Sequence, residues 1–172
     1  MLFRSATATD QLTSYGDIEL KNGGVFEDRG GHSTWFTIFN GDVSVTSGNA
    51  TIQSTSAGRG ISLRGYRNGV NAGVTFDVAK NSTLTVSALL KDSPNSKTVG
   101  SFTKTGEGTM VLSNRNNTYT GNIVVDEGIL KASGTWNGVN KPTVLGQYGS
   151  KTVTVNSGAE LIFAAQDRKS VV

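Results

Sequence analysis

Four times along this chain, a run of alternating apolar residues meets a short polar corner and then a second alternating run. The instances are Val43-Ser-Val45 to Ile52, Phe76-Asp-Val78 to Leu84-Thr-Val86, Ile123-Val-Val125 to Ile129-Leu130, and Val153-Thr-Val155 to Leu161-Ile-Phe163. The corners read Thr-Ser-Gly-Asn, Ala-Lys-Asn-Ser, Asp-Glu-Gly and Asn-Ser-Gly. Alternation with a period of two is the mark of a half-buried strand: Val, Ile, Leu and Phe fall on one face, while Ser, Thr, Asp and Lys point outward. Gly and Asn supply the positive φ that a sharp corner between strands requires. Corners at irregular spacing suit a solenoid whose rungs carry loops of variable length. Each buried Val, Leu or Ile contributes roughly 1.5–3 kcal/mol relative to exposure, so no rung stands without neighbours.

The composition agrees. Gly is abundant at 22, Pro is scarce at 2, and Ser, Thr, Val and Asn recur, which favours short strands and tight turns over helices. A 35% hydrophobic content fills a narrow core but is poor for a broad one. Cys is absent, so packing rather than disulfides must hold the fold. No apolar run reaches the roughly 20 residues of a membrane helix. Alternation alone leaves an antiparallel sandwich open, and Asn22-Gly23, Asn40-Gly41, Asn68-Gly69 and Asn137-Gly138 give that reading weight as hairpin turns.

Both ends look foreign to the rest. Met1-Leu-Phe-Arg-Ser5 is what GTG CTC TTC CGA TCT encodes with a GTG start, and Asp167-Arg-Lys-Ser-Val-Val172 is what GAT CGG AAG AGC GTC GTG encodes. Both strings match common short-read sequencing adapters in frame. The expectation is that residues 1–5 and 167–172 are scars. Residues 6–166 would then be an interior piece of a longer gene. Arg4, Arg168 and Lys169 against Asp167 supply two of the three net positive charges, so the pI near 9.3 carries little information about partners. The remaining Lys and Arg form no run, and no nucleic-acid partner is inferred.

The most specific stretch is 101–134, SFTKTGEGTMVLSNRNNTYTGNIVVDEGILKASG. On Phe102, Lys104, Gly106, Gly108, Thr109, Leu112, Asn117, Thr118, Tyr119, Thr120, Gly121, Val125, Gly128 and Leu130 it resembles the autotransporter-associated β-strand repeat. That repeat occurs in passenger domains of bacterial proteins secreted through their own outer-membrane barrel. Val144-Leu-Gly and Thr152 to Leu161 also resemble passenger repeats, so the likeness covers about 101–161, and the preceding part matches in style only. The resemblance implies an all-β fold, a right-handed parallel β-helix (a β-solenoid fragment), and type V secretion. It names no ligand and no reaction. The absence of Cys suits a chain that crosses the periplasm unfolded.

A search for chemistry is negative. His32, the only histidine, sits in Gly-Gly-His-Ser-Thr-Trp with no Gly-Asp-Ser-Gly or Gly-x-Ser-x-Gly to serve, and reads as a loop residue. One His and no Cys leave zinc without ligands. Asn22 to Asp28 echoes calcium-binding solenoid repeats only faintly and reads as a solvated turn. The adjacent acids Glu27-Asp28 and Asp126-Glu127 cannot face each other across the roughly 5–9.5 Å that glycosidic chemistry uses, and read as solvated. Trp35, Phe36, Phe39 and Tyr66 could stack on sugars, but read better as interior filling. Asn49, Asn81 and Asn116 begin Asn-x-Ser/Thr triplets that an Asn- and Thr-rich chain carries by chance. Catalytic residues, metal ligands and cofactors: none.

Residues 10–39 fit the repeat least, with 21–31 reading as a glycine-rich loop and 33–39 as an aromatic strand. Residues 87–98 and 135–147 read as loops leaving the helix, the former because Pro94 breaks the ladder. The expected function is a non-enzymatic stalk of an autotransporter passenger at the cell surface, tethered by its own C-terminal barrel and displaying loops, with rung stacking supporting export. The alternatives are an adhesin whose loops bind host or biofilm ligands, as in virulence factors, and, more weakly, a carbohydrate-active β-helix. Open rungs at both ends predict self-association of the isolated piece.

Overall fold

The structure is a computed structural model that describes residues 2–3, 12–29, 36–55, 60–64, 66–67, 70–93, 99–133, 144–147, 149 and 151–164. The alternating runs form three stacks of parallel strands, which the chain visits in turn. A four-stranded sheet contains Leu12–Tyr15, Phe36–Phe39, Ile61–Leu63 and Leu90–Lys91. A six-stranded sheet contains Ile18–Lys21, Val43–Ser47, Val74–Val78, Phe102–Thr105, Ile123–Val125 and Val153–Val155. A seven-stranded sheet contains Leu2–Phe3, Val25–Asp28, Asn49–Ser54, Thr83–Val86, Thr109–Leu112, Ile129–Ala132 and Glu160–Phe163.

Each strand pairs with its equivalent one turn before and one turn after, which is the arrangement of a parallel β-helix. Six rungs can be followed, each joining the six-stranded to the seven-stranded sheet. The single antiparallel ladder among the described residues joins Tyr66–Arg67 to Val70–Asn71. The sandwich reading, which needs antiparallel pairing, is excluded. Asn68-Gly69 follows Arg67 and precedes Val70 in the sequence, and lies outside the described residues.

Register turns alternation into continuous interior columns. One runs Phe26, Ile52, Val86, Leu112, Ala132, Phe163, and its neighbour runs Ala50, Leu84, Met110, Leu130, Leu161. All of these up to Ala132 and Leu130 belong to one buried apolar cluster. Two aromatic stacks thicken it edge to face: Tyr15–Phe26–Phe39, with centroids 5.1 and 5.2 Å apart, and Phe76–Phe102–Tyr119, at 5.6 and 5.7 Å. Such pairs add about 0.5–1.5 kcal/mol each beyond burial.

The corner between the six- and seven-stranded sheets carries positive φ in every rung: Asn22 (49°) with Gly23 (83°), then Gly48 (66°), Asn81 (61°), Gly106 (73°), Gly128 (64°) and Gly158 (87°). The turn residues of the sequence therefore line up along one edge.

Of the expected glycine-rich loop 21–31, the described part, 21–29, is not a loop. Lys21 ends a strand, Asn22-Gly23 make the corner, and Val25–Asp28 begin the next strand. The first rung is thus complete where the sequence resembles the others least. Likewise Leu90–Lys91 continue the four-stranded sheet against Ile61 and Ser62, so 87–93 close a rung instead of leaving it. Pro94 lies outside the described residues, as do His32, Trp35, Trp136 and 165–172.

Candidate functional site

The four-stranded sheet stops at Leu90–Lys91, although the other two sheets continue for two more rungs. What replaces it is the segment 117–121, the Asn-Thr-Tyr-Thr-Gly of the sequence motif. The Leu90 N–H donates to Asn117 Oδ1 at 2.9 Å, and Asn117 Nδ2 donates to the Val144 carbonyl at 2.7 Å. One buried side chain thus joins the fourth rung to the sixth. The Thr118 N–H donates to the Leu90 carbonyl, the Gly121 N–H to Gly100, and the Gln147 N–H to Tyr119.

Asp92 completes this side. Its Oδ1 accepts the N–H groups of Gly100 (2.6 Å) and Thr120 (3.0 Å), and its Oδ2 accepts the Thr120 hydroxyl at 2.8 Å. Tyr119 is fully buried against Phe102, with the Lys151 ammonium 4.9 Å from its ring centroid. Burial pushes the Tyr119 hydroxyl above its usual pKa, and the Lys151 ammonium below its own against the opposing pull of Asp92. Lys151 also donates to the Leu145 carbonyl. The Tyr119 hydroxyl has no hydrogen-bond partner among the described residues.

On the opposite corner stands Lys104. Its place in the register is an interior one, in the column Ile18, Val43, Phe76, Lys104, Val125, Val155. It is 0% exposed. The ammonium folds back into the corner and donates to the carbonyls of Thr105 (2.6 Å), Gly106 (2.7 Å) and Glu127 (3.2 Å). Two of these belong to its own rung and one to the next. Glu127 Oε2 in turn accepts the Gly106 N–H at 3.1 Å. Burial lowers the Lys104 pKa to about 8, against the opposing pull of Asp77 and Glu127.

Close approach explains the glycines. A Cβ on Gly128 would lie 2.5 Å from the carbonyl oxygens of both Gly106 and Gly108, and one on Gly121 would lie 2.5 Å from the Gly100 carbonyl oxygen. Gly106 and Gly108 are hemmed in by the carbonyls of Val78 and Ala79. Phe102, Leu112, Val125 and Leu130 fill the interior, and Thr109 sits half-buried beside Met110 in its strand. All fourteen motif positions therefore fall within two adjacent rungs. Asp92, Glu127, Val144 and Gln147 complete the contacts and were not singled out in the sequence as partners. Their one signal is spacing, because each lies one rung away from the residue it grips.

The acid pairs separate. Asp126 and Glu127 are exposed at a corner, as expected. Glu27 and Asp28 are instead strand residues, 9% and 5% exposed, so the solvated-turn reading fails for them. Glu27 pairs with Arg29, which holds its carboxyl below the usual range, and accepts from Gln53 Nε2 at 3.1 Å. Asp28 accepts from the Thr37 hydroxyl at 3.1 Å. Neither pair forms two carboxylates facing a common space. Among the described residues no three His, Cys, Asp or Glu side chains gather as metal ligands. Phe39, one of the aromatics considered for sugar stacking, is an interior residue at 0% exposure.

This arrangement does mechanical work: polar side chains tie each rung to its neighbours where a backbone ladder has ended. Residues 102–132 match the family described as the passenger-associated-transport-repeat. Neither a curated protein nor a solved structure matches the chain. The stretch that matches the passenger-associated-transport-repeat is thus built as two successive rungs of a parallel β-helix.

Proposed function

We propose that the chain is a structural stalk segment of an autotransporter passenger, at the bacterial surface or secreted, which displays loops and supports its own export. The observation that carries this reading is the tie of 117–121 to Leu90, Asp92 and Gly100 behind and to Val144 and Gln147 ahead. Such a rung is completed only when its neighbours are present, so folding propagates along the axis and disfavours back-sliding of an exported chain. The repeat is not an enzyme family, and the stalk is read as non-enzymatic. Its partners are its own C-terminal barrel in a longer parent and, in isolation, other copies of itself.

The test is surface display of the parent protein carrying Gly121→Asp or Val125→Pro. Display should fall sharply. Undiminished display with either change would refute the role of rung formation in export.

The adhesin reading gains support from one observation, the hairpin of Tyr66–Arg67 and Val70–Asn71, which departs from the parallel ladder between Leu63 and Val74. Replacing 66–71 by a short Gly-Ser turn should abolish attachment to host cells or biofilm while leaving display intact. Unchanged attachment would return the hairpin to a neutral insertion.

A further inference from the structure

Lys104 is a charged residue in an otherwise apolar interior column, and packing does not require it. Phe76 and Val125 hold the same position in the rungs on either side. Its ammonium touches three neutral carbonyls and no carboxylate. The charged groups around it are Asp77 on the preceding rung and Glu127 on the following corner, both at its periphery. Glu107 at the same corner is turned to Lys80 at 2.7 Å, and Asp126 to Asn156 at 2.6 Å. No backbone N–H among the described residues reaches the carbonyls of Gly106 or Glu127, so the ammonium is what satisfies them.

We propose that Lys104 is a titratable clamp between the fourth and fifth rungs, its amine donating into a cage of carbonyls drawn from both, and that in alkaline solution closing this junction is coupled to release of its proton. The inference extends the stalk reading to its assembly, but it rests on the cage geometry and stands whether or not the parent is exported.

The coupling has a definite sign. In the open junction the amine is in water, with the ordinary pKa near 10.5; in the closed junction burial depresses it to about 8. Below pH 8 both states hold the proton and closure is independent of pH. Between about 8 and 10.5 the open state binds more protons, so closure strengthens with rising pH, by up to about tenfold per unit. The neutral amine still donates two hydrogen bonds to the cage.

The first measurement is a titration of the Lys104 Nζ resonance in the wild-type chain, using a Lys104→Arg comparison to assign it. A midpoint near 8 is expected; one at the solvent value would overturn the proposal. The second measurement is chemical rescue. Lys104→Ala should expose the corner amides of 106–108 and 126–128 to hydrogen exchange, and n-propylammonium should restore their protection. Tetramethylammonium, which has no N–H donor, should not. Equal protection in Lys104→Met and wild type would show that the cage needs no N–H donor and would also overturn the proposal. Loss of surface display with normal titration and rescue would strike the stalk reading alone.

Discussion

The first two rungs and the last three are built on the same ladder and held in different ways. Residues 12–54 use three complete sheets and an aromatic stack, Tyr15–Phe26–Phe39, so the backbone and the core carry that end. From 99 onward one sheet is gone, and Asn117, Thr120 and Asp92 take over its hydrogen bonding, while Lys104 ties the opposite corner. Backbone ladders accept almost any strand-forming residue; side-chain ties accept few. The family match at 102–132 falls where those ties are made, and not on the first rungs, whose opening strand pairing slips register between Leu20 and Lys21.

The comparison can be broken most severely at a corner glycine. Gly128→Val combines a φ of 64° with a Cβ 2.5 Å from two carbonyl oxygens, and should abolish the cooperative thermal transition of the repeat. Gly16→Ala in the first rung, where a Cβ meets nothing within 4 Å, should leave that transition nearly unchanged. Equal effects would mean the two ends are not held differently.

Asn117→Ala comes next. It strips partners from the buried Leu90 N–H and Val144 carbonyl, each costing about 1–3 kcal/mol when left unsatisfied, which chemical denaturation would read as a fall in midpoint. Asn114→Ala, removing two exposed bonds, one donated to the Ser87 carbonyl and one accepted from the Asn116 N–H, should stay within about 0.5 kcal/mol. Asp92→Ala should fall between them and expose the Gly100 and Thr120 amides to hydrogen exchange.

The smallest effect on stability is expected in the last described rung. Val153, Val155 and Phe163 are 36%, 42% and 67% exposed, although their register equivalents Ile123 and Val125 are at 0% and Ala132 at 4%. Phe163→Ser should shift the unfolding midpoint little while reducing association of the isolated chain in light scattering. A sharp monomer peak for the unaltered chain at high concentration would remove the premise.

Sequence by itself determined the local geometry: which residues are strands, which face is apolar, and where Gly or Asn must turn the chain. Period-two alternation and positive-φ residues are local properties that a single rung displays. It also exposed the motif at 102–132, because there the side chains themselves bear the load. The tertiary structure decided everything that depends on the neighbouring rung. The first rung at 12–28 was missed because its corner, Asn22-Gly23, looks like loop composition until Val43–Ser47 lies beside it. Lys104 was one motif position among fourteen until register placed it between Phe76 and Val125. Glu27 and Asp28 looked solvated until Arg29, Gln53 and Thr37 closed over them. In a parallel β-helix the strands that flank a residue, as Val43–Ser47, Phe76, Val125 and Gln53 do here, come from one turn away, at a sequence distance no local pattern encodes.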